Sequence, residues 1–84
     1  MSRFWPDGVP IVVTTDALAA PIAFTWGEYR HVVEQIVDRW RGDVGWWQRR
    51  VWREYFQLTT TSGLLLLIYH DVRAGEWRLQ RLYD

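Results

Sequence analysis

The groups that could do chemistry in this chain are few. There are two histidines, His31 and His70, and no cysteine. A zinc site needs three or four protein ligands, so this pair does not supply one. Asp71 follows His70 directly and points to the opposite side if both lie in a strand. Ser2 and Ser62 sit in an N-terminal arm and in a turn, with no histidine pattern that marks a nucleophile. Glu34 and Asp38 are four residues apart, a spacing that suits a solvated face better than a general acid–base pair. Gly42-Asp43-Val44-Gly45 lacks the lysine and the following hydroxyl residue of a phosphate-binding loop. The expected protein is not an enzyme and holds no metal and no cofactor.

The stronger signal is a run of arginine and tryptophan between residues 39 and 53. Arg39, Arg41, Arg49, Arg50 and Arg53 stand there against one acid, Asp43, and are interleaved with Trp40, Trp46, Trp47 and Trp52. Single-stranded nucleic acid is bound by this combination, because bases stack on aromatic rings and guanidinium groups meet phosphates. Two adjacent tryptophans in a strand face opposite ways, so one of Trp46 and Trp47 is expected at the surface. The same residue types dominate protein–protein hot spots, and arginine can also rest on tryptophan within one chain. The candidate site is therefore Arg39, Arg41, Trp46, Trp47, Arg49, Arg50, Trp52 and Arg53, facing single-stranded DNA or RNA, or a protein partner.

The rest of the chain must position these groups. Its 84 residues allow one domain and one core. Seven Trp, four Tyr and three Phe exceed what such a core can hold, so some belong to a surface or an interface. Ten arginines, with no lysine, balance ten acids. Polyanion binding would thus need a local patch. The longest apolar run, Gly63 to Tyr69, is far short of a membrane span. No signal-peptide region opens the chain, so the expected location is cytoplasmic.

Trp5-Pro6-Asp7-Gly8 reads as a turn or a loose arm over residues 1–8, ahead of a single domain at 9–84. Strands are expected at Val9–Thr15 and Pro21–Trp26, the latter with Ile22, Phe24 and Trp26 on one face. Tyr29–Trp40 has helical spacing at Tyr29, Val32, Val33, Ile36, Val37 and Trp40, but β-branched composition. A long, bent or bulged strand is the preferred reading, with a short helix as the alternative. A loop is expected at Arg41–Gly45. Arg53–Thr60 alternates with Phe56 and Leu58 inward. Leu64–His70 reads as a strand buried on both sides, and Glu76–Tyr83 as a last strand with Trp77, Leu79 and Tyr83 on one face. Trp26 and Trp77, with Trp40 as a third, are expected in the core. The fold class is mainly β: an antiparallel meander of five to six strands curled into a small, partly open barrel.

An ordered set of residues also resembles a known pattern. It consists of Phe24-x-Trp26-x-x-Tyr29-x-x-Val32, Ile36-x-x-x-Trp40-Arg41, Trp46-Trp47, Arg53-x-Tyr55-Phe56, Gly63, Tyr69-x-Asp71 and Gly75-x-Trp77-x-Leu79-x-Arg81-Leu82-Tyr83-Asp84. Over residues 10–84 the chain resembles an uncharacterised bacterial domain family of short proteins. A similar segment ends the catalytically inactive Y-family polymerase homologues of bacterial mutagenesis cassettes. The resemblance implies a role in DNA damage tolerance, by touching DNA or by recruiting a DNA-repair protein; a homo-oligomer is the further alternative. Such sequences often carry arginine around the glycine after Phe-x-Trp. Here Gly27-Glu28 stands instead, which leaves residues 39–53 to carry any basic surface.

Overall fold

The structure is a computed structural model that describes residues 2–44 and 51–83. Six antiparallel strands follow one another: β1 (Arg3–Thr15), β2 (Pro21–Trp26), β3 (Tyr29–Val44), β4 (Val51–Thr60), β5 (Leu65–Asp71) and β6 (Glu76–Tyr83). Each pairs with the next, and β6 returns to β1, so the meander closes into an uneven ring. The expected partly open barrel is thus closed. Two long strands close it by serving two neighbours in turn. β1 pairs with β6 through Ile11 and with β2 from Val12 onward. β3 pairs with β2 from Tyr29 to Val32 and with β4 from Val33 onward.

Residues 29–40 are strand and not helix, and the strand continues through 41–44, where a loop was expected. The helical spacing has a simple origin. β3 carries two irregularities, between Val33 and Gln35 and between Ile36 and Asp38. A bulge adds one residue on one strand and shifts the side-chain phase by one. Val33 and Ile36 therefore face the same side although they are three residues apart.

Bulges account for every residue found on the wrong side. Past the second one, Arg39 lies opposite core Phe56 and Trp40 opposite outward Tyr55, so Trp40 leaves the core and is 40% exposed. On β2, Thr14 pairs with Ala23 and Thr15 with Pro21, which leaves Ile22 without a β1 partner and exposed. On β6, Ile68 pairs with Leu79 and Leu67 with Arg81, skipping Gln80. Leu82 then packs on the core in place of Tyr83.

The core is Ile11, Phe24, Phe56, Leu58, Leu66, Ile68 and Leu79, all buried. Trp26 and Trp77 pack against it as expected, and Trp5 joins them, with its ring edge-on to Trp26 at 5.8 Å. Leu66 to Tyr69 are buried on both faces of β5.

The expected N-terminal arm is the first part of β1. Arg3 and Phe4 pair with Leu82 and Arg81, and pairing resumes at Val9. The intervening Trp5–Gly8 excursion is held by side chains from the neighbouring strands. The Tyr69 hydroxyl donates to the Asp7 carbonyl at 3.0 Å, Arg78 donates to the Asp7 and Gly8 carbonyls, and Gln80 donates to that of Pro6. Burial pushes the Tyr69 phenol above its ordinary 10.0, against the opposing charges of Arg53 and Arg78. The folded state therefore favours the protonated phenol. Its contribution is complete below the unfolded-state value and is lost as pH rises through the folded one. Urea unfolding should show stability falling above pH ~10, and Tyr69→Phe should flatten that fall. An unchanged slope in the variant would exclude this role for Tyr69.

Candidate functional site

The strand registers sort the predicted residues onto two faces. One inward row runs Arg39, Phe56, Ile68, Leu79, Val9, and the next runs Arg41, Glu54, His70, Trp77, Ile11. Arg39 and Arg41 thus lie on the inner side of the β3–β4 hairpin. Trp52, two residues before Glu54 on β4, shares that parity and is exposed. Arg53 faces outward. Trp46, Trp47, Arg49 and Arg50 lie outside the described residues.

The inner arginines already have a partner. Buried Glu54 accepts hydrogen bonds from Nε (2.8 Å) and Nη2 of Arg39, and its other oxygen is 3.8 Å from Arg41 Nη2. Arg39 also lies over the Phe56 ring, 5.0 Å from its centroid. Part of the local positive charge read from residues 39–53, that of Arg39 and Arg41, is therefore met by an acid just beyond that stretch. Glu54→Ala should lower stability by about 1–2 kcal/mol in chemical denaturation. That is less than the about 3–5 kcal/mol of a fully buried pair, because Arg39 is half-exposed and can rehydrate. A neutral result would mean that the pair contributes nothing net.

The histidines are packed on aromatic rings. His31 lies on Phe24 at 5.2 Å and near Trp26, and His70 stacks on Trp77 at 4.5 Å with an interplanar angle of 13°.

The outer face holds a different set. One row crosses it as Trp40, Tyr55, Tyr69, Arg78, Pro10, and a parallel row as Asp38, Gln57, Leu67, Arg81, Phe4. A third row reads Gly42, Arg53, Asp71, Glu76. Trp40 stacks on Tyr55 with centroids 5.4 Å apart and planes 13° apart, and Tyr55 leans on Tyr69 at 5.7 Å. Gly42 leaves room for this ladder, since a Cβ there would sit 3.0 Å from the Tyr55 ring. The Arg53 guanidinium lies over Tyr69 at 4.5 Å. Burial lowers its pKa, but a hydrogen bond with Tyr55 and the fields of Tyr69, Tyr55 and Asp71 outweigh this and leave it raised. Arg81 sits between Phe4 at 5.8 Å and Tyr83 at 5.1 Å. The Nε atoms of Arg53 and Arg81 are buried with no hydrogen-bond partner among the described residues.

Tyr55, Tyr69, Arg81 and Phe4 were missed by reading one contiguous stretch. The outward positions of β4, alternating with Phe56 and Leu58, contained part of the signal, but Tyr69, Arg81 and Phe4 come from three other strands.

No family model matches the chain, and no curated protein or solved structure is significantly similar to it.

Proposed function

We propose that this domain is a non-catalytic accessory module that binds single-stranded nucleic acid on the outer face of β3–β6. Trp40 and Tyr55 form the stacking platform, and Arg53 and Arg81 meet phosphates. The observation that carries this reading is the outward Trp40–Tyr55 stack, with Trp40 40% exposed, beside an arginine fixed over Tyr69. Rings that hold a guanidinium plane in place reduce the side-chain freedom lost on binding. A base can stack on an exposed ring only when it is unpaired, so single strands are preferred over blunt duplex.

The face is not uniformly basic. Asp71 lies opposite Arg53, and Glu76 pairs with Arg78 at 3.1 Å. Stacking therefore supplies most of the affinity. Two phosphate contacts give a slope of log K against log salt of about −1.4, at roughly −0.7 per phosphate. Titration of tryptophan fluorescence with oligothymidylate at about 50 mM and about 200 mM salt tests this. Absence of binding at tens of micromolar at the lower salt defeats the reading.

A protein partner or a homo-oligomer is the second reading. It is favoured by exposed Val12, Ile22 and Val32 on adjacent strands β1, β2 and β3. Under it, light scattering shows a salt-insensitive increase in mass with concentration or on adding a partner. The proposed setting is DNA damage tolerance, which the sequence resemblance implies, with a DNA-repair protein as the partner; the proposed location is the cytoplasm.

A further inference from the structure

The outer face carries a second exposed ring at the opposite end from Trp40. Phe4, on β1, is 54% exposed and contributes nothing to the core cluster. It flanks Arg81, whose guanidinium lies between Phe4 and Tyr83 and whose buried Nε has no acceptor among the described residues. The two ends of the face thus have the same composition. Each presents an exposed ring and an arginine held on an aromatic: Trp40 stacks on Tyr55, to which Arg53 is hydrogen-bonded, and Phe4 lies directly against Arg81.

Resting on the function proposed above, we infer that these are two stations for one strand, which crosses the sheet from Trp40 on β3 to Phe4 on β1. The order β3–β4–β5–β6–β1 puts four strand steps between them. At about 4.8 Å per step, that is about 19 Å along the sheet, and the convex outer face of the closed ring offers no shorter path. A dinucleotide cannot span this distance, whereas an oligonucleotide of about four to eight residues can, at the lower end of the site sizes of small β-barrels. Gln57 lies between the stations on Arg81's row, with buried Leu67 beneath the path. The ligand class is therefore a flexible single strand long enough to engage both rings, in preference to a mononucleotide or a dinucleotide.

The test is a length series of labelled oligothymidylates, about 2 to 12 residues long, binding to wild type, Phe4→Ala, Phe4→Leu, Arg81→Ala and Trp40→Ala. Wild-type affinity should rise with length up to about eight residues and then level off. Phe4→Ala should weaken the longer oligonucleotides by at least about fivefold while leaving the shortest unchanged, and Arg81→Ala should weaken the longer ones at least as much. Phe4→Leu keeps an apolar side chain over Arg81 and should show the same loss, which separates stacking from packing. If Phe4→Ala and Phe4→Leu bind every length like wild type while Trp40→Ala binds weakly, the two-station path is wrong and the Trp40 site stands. If Trp40→Ala binds like wild type, the site itself is wrong.

Discussion

Gly8→Ala is expected to destabilise the domain by about 2–4 kcal/mol, a large part of what a domain of this size has to lose. Two effects add. Gly8 has φ +73°, in the left-handed region, where an L side chain costs about 1–2 kcal/mol. A Cβ there would also sit 2.6 Å from Arg78 Cβ and 2.8 Å from the Tyr69 hydroxyl. Neither contact is with a freely moving chain end. Arg78 Cβ is fixed to the β6 backbone, and the Tyr69 hydroxyl is bonded to the Asp7 carbonyl. Relief would require lifting the Trp5–Gly8 excursion off β6 and loosening Trp5 from the core. Gly27 provides the control. Its φ is +63°, but nothing lies within 4 Å of an added Cβ, so Gly27→Ala should cost only the backbone strain. In thermal unfolding, at roughly 4–8 °C per kcal/mol, the two variants should be clearly separated. Equal melting temperatures would show that an added Cβ at Gly8 meets no obstacle from Arg78 and Tyr69.

The second large effect is on binding. Trp40→Ala should weaken single-strand binding by about 5- to 150-fold, the equivalent of one base stack of about 1–3 kcal/mol. Its effect on stability should be small. Trp40 is outside the core cluster, and what it loses is one stacking contact with Tyr55, worth about 0.5–1.5 kcal/mol. Trp77→Ala should do the reverse. It removes a ring packed on the core, at about 3–5 kcal/mol, and removes no part of the outer platform. Comparable destabilisation by the two substitutions would mean that Trp40 is structural.

These two residues also mark how far the sequence could be read. Strand identity was legible wherever period two ran unbroken, as in Arg53–Thr60, where Phe56 and Leu58 are inward as expected. Facing failed at Ile22, Trp40 and Tyr83, and each failure follows a register shift. A bulge adds one residue without any side-chain signature, yet moves everything beyond it to the other face. Turn chemistry was legible at Trp5–Gly8, but not that neighbouring side chains would clamp the turn within β1. The candidate site was legible only in part. The stretch from 39 to 53 supplies Trp40 and Arg53, while Tyr69, Arg81 and Phe4 join them through pairings that local sequence does not encode. Glu54 lies one residue past that stretch, and its pairing with Arg39 and Arg41 shifts the weight of the site from charge to stacking.

The central claim is that the Trp40–Tyr55 face is where a single strand lies. Mapping amide and indole shifts of labelled protein on titration with an oligothymidylate of about eight residues tests it most directly. The account predicts shifts at the Trp40 indole and along the outward positions of β3, β4 and β6, with Val12 and Val32 unmoved. Saturable binding that shifts Val12 and Val32 while the Trp40 indole stays in place would contradict it.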